Sequence, residues 1–188
     1  MKYISKGIVI EGSTEHILRL TRCGYDFQLT GEQAALWLNG RFGFAELEDE
    51  NPILNKAIAQ LQRQELVEIA EDEACGEYWA LTRCVIVPAK PKGICAPLSQ
   101  REKQLLKWIC EAGLRLSMAE LVFLVEHGML PESRWLGVEN RQELTEAIYT
   151  QETIFDNILE AQMERAGKRD EVVGSVLALL KKKRILLL

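Results

Sequence analysis

The spacing of apolar positions divides the chain into short alternating stretches and longer helical stripes. Near the start, Ile4 and the run Ile8-Val9-Ile10 predict strand segments. Tyr25-Asp26-Phe27-Gln28-Leu29 alternates apolar and polar with the period of two that a half-buried strand requires. Between them, TEHILRLTR fits either element. Thr30 then offers a side-chain oxygen as N-cap to a helix over EQAALWLN, which Gly40 closes. A short helix is expected around FAELED. Asn51 caps a further helix with Pro52 at its first position, where a missing N–H costs nothing. Leu54, Ile58 and Leu61, spaced i, i+4, i+7, form its core stripe. The following LVEIAEDEACGEYWALT predicts two strands around a glycine-containing tip, a β-hairpin.

Three prolines and a glycine in Pro88-AKPKGICA-Pro97 mark an extended linker, because proline disfavours helix before it and donates no ladder hydrogen bond. It separates residues 1–87 from 98–188. In the second half, Ser99 caps QREKQLLKWICEAG, and Ser117 caps MAELVFLVEHG, which ends at Gly128. A helix is expected from about Asp170 to Lys182, followed by Arg184–Leu188 as a strand.

Shifted by 119 residues, Leu54, Ile58, Leu61, Leu66, Val67 and Ile69 fall on Val173, Leu177, Leu180, Ile185, Leu186 and Leu188. Upstream, Leu29-Thr30 and Ala45-Glu46-Leu47 correspond to Leu98-Ser99 and Ala119-Glu120-Leu121. The apolar tail is thereby expected to fold inward as the last helix and a strand of a second, related module. Three helices and a hairpin, with a helix, four polar residues and an apolar strand at the junction, resemble the winged-helix superfamily. The fold this resemblance implies is α+β and mostly α, with two winged-helix-like domains in tandem. The second carries a helical insertion at about 129–167 and a truncated wing, since the chain stops after one hairpin strand.

Within the insertion, Glu139 to Arg165 is strongly helix-forming, with Leu144, Ile148, Phe155, Ile158, Leu159 and Met163 largely on one face. It reads as one long helix or as two broken at Gln151-Glu152-Thr153. Its stripe either folds back on its own module or forms a dimer or partner interface.

Composition narrows the class. Apolar residues are 47% and charged residues 27% of the 188, as in an ordinary globular chain. The net charge of −5 offers no generic attraction to phosphate, so nucleic-acid binding would need a local basic patch. Five cysteines without a C-x-x-C pair, and two histidines, suggest reduced, mostly buried thiols in a cytoplasm and no zinc site. The N-terminal stretch lacks the pattern of a signal peptide, and no apolar run is long enough to cross a bilayer, so no membrane role is expected. No nucleophile–base pair or phosphate loop is recognisable, and Trp37 and Trp108 read as core anchors; neither catalysis nor a cofactor is expected.

The resemblance implies a cytoplasmic DNA-binding transcriptional regulator, a homodimer through the insertion helix, that sets the third helix of each module in double-stranded DNA. Asn55, Lys56, Gln60 and Arg63 are the candidate base and phosphate contacts of the first module. Lys168, Arg169, Lys181, Lys182, Lys183 and Arg184 are those of the second, although cations at a helix C-terminus also favour its carbonyl end. Carboxylates at the hairpin tip oppose this reading. The alternative is a protein-interaction module whose acidic wing (Glu71, Asp72, Glu73) or long helix (Leu144, Ile148, Phe155) recognises a partner chain. A variant follows single winged-helix chaperones that accept a peptide on an exposed edge strand, an edge the N-terminal strands would supply.

Overall fold

A computed structural model of the chain describes all residues except 15, 48–50, 72–74, 92, 94, 113–115, 138–139 and 150–157, and the side chains of 112, 141, 147, 149 and 158–166. The chain is mixed α+β and mostly α, 48% helical and 18% strand. It divides into two compact units, Met1–Val85 with Ile185–Leu188, and Ile86–Arg184.

In the first unit, β1 (Lys2–Ser5) lies at the centre of a three-stranded antiparallel sheet, between β5 (Ala45–Glu46) and β6 (Val67–Ala70). Tyr3, Ile4 and Ser5 are all buried, so β1 is covered on both faces. A second sheet is the meander β2 (Ile8–Val9), β3 (Leu18–Arg22) and β4 (Tyr25–Leu29). The stretch that fitted either element is therefore a strand at its end. Cys23 and Gly24, at φ 50° and 86°, make the two-residue turn between β3 and β4, whose left-handed backbone matches strand twist.

Helix α1 (Gly31–Asn39) follows with Thr30 at the N-cap position, though the Thr30 side chain makes no cap bond. Helix α2 (Pro52–Arg63) starts as expected: Asn51 Oδ1 accepts from the amides of Ile53 at 3.0 Å and Leu54 at 3.4 Å, with Pro52 at the first position. Ala57, Ile58 and Leu61 turn inward against Tyr3, Leu29, Trp37 and Leu66.

Two elements differ from expectation. The described part of FAELED, residues 44–47, is no helix: Ala45 and Leu47 are buried while Glu46 is exposed, the alternation of a strand, and β5 hydrogen-bonds to β1. Nor is there a hairpin over 66–82. Its first half is β6, but Gly76–Thr82 is helix α3, burying Ala80 and Leu81. The reason is tertiary, because β1 pairs with β6 over four positions and occupies the place a returning hairpin strand would take.

The second unit contains β7 (Ile86–Pro88), α4 (Gln100–Ala112), α5 (Met118–Glu126), α6 (Ser133–Leu136), α7 (Arg141–Tyr149) and α8 (Ile158–Lys181). Both α4 and α5 pack on α8, which begins twelve residues before the expected Asp170. Trp108, Leu121, Leu124, Val172, Val176 and Leu179 are buried there. Two Ser-x-x-Glu boxes start α4 and α5. The Ser99 amide donates to Glu102 Oε2 at 2.7 Å, and the Ser117 amide donates to Glu120 Oε2 at 2.8 Å.

The last strand, β8 (Ile185–Leu187), belongs to the first unit, not the second. The Gly7 amide donates to Leu187 O at 2.7 Å, and Val85 and Leu188 exchange backbone bonds of 2.8 and 2.9 Å. The tail is thus packed, with Ile185 and Leu187 buried.

The joint from α2 to β6 recurs between α8 and β8. Glu65 has φ 56° and the Leu66 amide donates to Leu61 O at 2.9 Å; Lys183 has φ 57° and the Arg184 amide donates to Leu179 O at 2.9 Å. Each is a helix stop made by one left-handed residue. Superposing Glu65 on Lys183 (183 − 65) gives an offset of 118, one less than the sequence pattern suggests. Leu54, Ile58, Leu61, Val67 and Ile69 then match the buried Val172, Val176, Leu179, Ile185 and Leu187, while Leu66 falls on half-buried Arg184. Upstream, Leu29-Thr30 and Leu98-Ser99 both stand just before a helix, but Ala45-Glu46 is strand whereas Ala119-Glu120 lies in α5. The joint recurs along the chain, but its second strand lies in the first unit, so it does not make the second unit a copy of the first.

Candidate functional site

Many of the charges proposed for DNA contact are engaged within their own unit. Lys182 Nζ donates to both Glu102 oxygens at 2.7 and 2.6 Å and to Pro97 O at 3.0 Å. Lys168 Nζ donates to Glu126 O, at the carbonyl end of α5, at 3.1 Å, and Arg169 faces Asp170 at 3.4 Å. Lys183 is the left-handed stop residue, Arg184 is half-buried and Lys181 is exposed. On α2, Lys56, Gln60 and Arg63 are exposed along one face and Asn55 is half-buried; Gln60 Oε1 accepts from Gln33 Nε2 at 2.6 Å.

The candidate partner surfaces fare differently. Leu144 and Ile148 are buried in the second unit, so that part of the insertion stripe folds back on its own module. Glu71 is exposed. Asp72, Glu73 and Phe155 lie outside the described residues.

A charged group in the first unit forms a structural pin. Lys6, only 2% exposed, donates to Glu68 Oε1 at 2.5 Å, while Arg83 Nε donates to Glu68 Oε2 at 2.8 Å and its Nη2 to Ile69 O at 2.9 Å. Burial in this neighbourhood, opposed by the charge of Lys6, pushes the Cys84 thiol up to about 12, so it has no thiolate character at neutral pH. All five cysteines are free, and Cys23, Cys95 and Cys110 are exposed. This corrects the expectation of mostly buried thiols: Cys23 sits in the β3–β4 turn and Cys110 on the outer face of α4, positions no apolar stripe reaches. Among the described residues no group of acidic, cysteine or histidine side chains could hold a metal ion, and His127 stacks on Phe123 at the end of α5.

The outer edge of β4 is different in kind, because it offers unpaired backbone. In the ladder of β3 with β4, Arg22 lies opposite Tyr25, Leu20 opposite Phe27 and Leu18 opposite Leu29. A two-residue turn makes these the hydrogen-bonded pairs, so the N–H and C=O groups of Asp26 and Gln28 point away from β3. No backbone bond to them occurs among the described residues. The other edges of the first unit are less open: β2 and β5 are two residues long, and α3 packs on β6. Side chains of Tyr25, Phe27 and Leu29 share one face, stepping from 72% exposed at Tyr25 through half-buried Phe27 to buried Leu29. The alternation of YDFQL signalled a strand; nothing in the sequence signalled that it would be an edge.

No family model, curated protein or solved structure matches this chain. Among the described residues no helix is long and apolar enough to cross a membrane.

Proposed function

We propose that the chain is a non-enzymatic protein-interaction module that accepts an extended peptide as an added strand on β4. The observation that carries this reading is the five-residue edge whose Asp26 and Gln28 backbone groups have no partner among the described residues. Main-chain bonds to those groups supply affinity that is largely independent of peptide sequence, at about 1 kcal/mol net for each bond. The graded apolar face of Tyr25 and Phe27 supplies selection for peptides with alternate apolar side chains. In this reading α1, β5, α2 and β6 are the helix–strand–helix–strand segment of a winged-helix-like domain in which β1 stands where the wing would return. The free thiols suit a reducing cytoplasm.

The test is selection of short peptides from a random display library on the whole chain, followed by hydrogen exchange and the Gln28→Pro variant. Proline at this outward-facing position removes one donor and no ladder bond. Binding is expected to protect the Asp26 and Gln28 amides, and Gln28→Pro to weaken it about ten-fold with the melting temperature unchanged. Selected peptides that leave these amides unprotected, or that bind Gln28→Pro equally well, defeat the reading.

A second reading, duplex DNA binding through α2, is favoured by one observation: Lys56, Gln60 and Arg63 are exposed at i, i+4 and i+7 on one helix. A steep loss of duplex affinity with rising salt, reduced by Arg63→Ala, would support it, and absence of binding at low salt would end it.

A further inference from the structure

Within the second unit, a cleft runs between α4 and the segment 128–133. Its inner part, about 160 Å³, has Trp108, Leu105, Leu124 and Met129 for walls. Its outer part opens between Lys103 and Lys107 of α4 and the segment Leu130–Ser133. Gln104 and Leu130 line both parts, so the two adjoin, and Leu130 stands 56% exposed between them.

The charge around this cleft is lopsided. Glu132, the carboxylate on its wall, is paired with Arg134 at 3.0 Å. Arg101, at the inner mouth, is paired with Glu171 at 2.9 Å. The side chains of Lys103 and Lys107, one helical turn apart on the same face, have no hydrogen bond or ion pair among the described residues. Two uncompensated ammonium groups and the Gln104 amide therefore border an apolar chamber floored by a tryptophan that is 1% exposed. Exposed lysines on a helix are ordinary; lysines beside a mainly apolar chamber are not, and a volume of about 160 Å³ is enough for a single ring.

We propose that this cleft binds a small organic acid carrying one ring or a short branched chain. The apolar group fills the inner chamber against Trp108, and the carboxylate lies between Lys103 and Lys107. Charge-assisted bonds there favour an anion over a neutral or cationic molecule of the same shape. This site is independent of the β4 edge and stands or falls separately from it.

The experiment uses the isotope-labelled whole chain titrated with 3-phenylpropionate, 3-phenylpropanol and 3-phenylpropylamine, following the indole N–H resonance of Trp108. Saturable shifts are expected in the order acid, alcohol, amine, with about ten-fold between acid and alcohol, the size of one charge-assisted bond. The charge swap K103E/K107E, on an exposed helix face, should invert that order so that the amine binds best. Val125→Phe, which fills the inner chamber, should abolish binding of all three with the lysines intact. The proposal is overturned if the acid leaves Trp108 unmoved, if the three probes bind the native chain alike, or if the folded charge-swap variant keeps the native order. Should that variant fail to fold, the probe series on the native chain decides alone.

Discussion

The indole Nε1 of Trp37 donates to the carbonyl of Lys6 at 2.9 Å, which fastens the C-terminal turn of α1 to the end of β1. Two further buried bonds follow the same line: Tyr3 Oη donates to Leu36 O at 3.0 Å and Ser5 Oγ to Trp37 O at 2.8 Å. The last turn of α1 thus has its carbonyls satisfied by side chains of the strand beneath it. Trp37→Phe keeps most of the apolar volume but leaves the Lys6 carbonyl without its donor. Urea unfolding should show a loss of about 2 kcal/mol, and a loss under half that would mean the bond is replaced.

Gly40 allows this fit. A Cβ there would lie 2.6 Å from Ser5 Oγ and 2.8 Å from the Tyr3 ring, and the Gly40 carbonyl already accepts from the Ser5 amide at 2.9 Å. Gly40→Ala should therefore destabilise by about 2 kcal/mol, as overpacking does. Gly40→Ala combined with Ser5→Ala should recover part of that loss, which thermal melts of the two variants will measure.

Lys183 holds a left-handed backbone at φ 57° where α8 stops. A β-branched residue is strained in that region and glycine is not. Lys183→Gly is expected to raise stability by about 0.5 kcal/mol and Lys183→Val to lower it by about 1 kcal/mol. Equal melting temperatures for the two would refute the assignment of Lys183 as the stop residue.

Glu102 supplies the pH dependence of the second unit. Burial opposes its ionisation, but bonds from Lys182 and Ser99 and the charge of Lys182 outweigh it and hold the carboxyl below its ordinary value. A carboxyl with a lowered native pKa contributes stability that is full above its unfolded value and is lost as pH falls through the native one. The melting temperature should therefore decline on the acid side of the ordinary glutamate range, and Glu102→Gln should flatten that decline while lowering the neutral plateau. An unchanged acid limb in Glu102→Gln would assign the dependence to other groups.

Thiol reactivity separates the cysteines. The thiol of Cys84, at about 12, should resist iodoacetamide in the native chain at pH 8, whereas exposed Cys23 and Cys95 label readily. Burial also raises Cys110, with the charge of Glu111 adding to it, so Cys110 should lag the other exposed thiols. Peptide mapping after timed labelling gives the order, and early labelling of Cys84 would contradict its burial beside Lys6 and Glu68.

Local chemistry alone determined much of this protein. Asn51-Pro52 starts α2, Ser99 and Ser117 start α4 and α5, and YDFQL is a strand, because caps, proline and a period of two act within a few residues. The inward packing of the tail was legible for the same reason, from its apolar stripe. The register of the repeated joint was not: VVGSVLALL is apolar at nearly every step, so a slip of one residue matches equally well until a backbone bond such as Arg184 to Leu179 fixes it. Only tertiary structure decided that β1 lies beside β6 and leaves EYWALT to form a helix, since strand pairing joins residues 60 or more positions apart. The same holds for the candidate sites. That, among the described residues, Lys182 is engaged by Glu102 while the Lys103 and Lys107 side chains have no partner and β4 has a bare edge depends on which neighbours the fold brings within bonding distance, and composition carries no record of that.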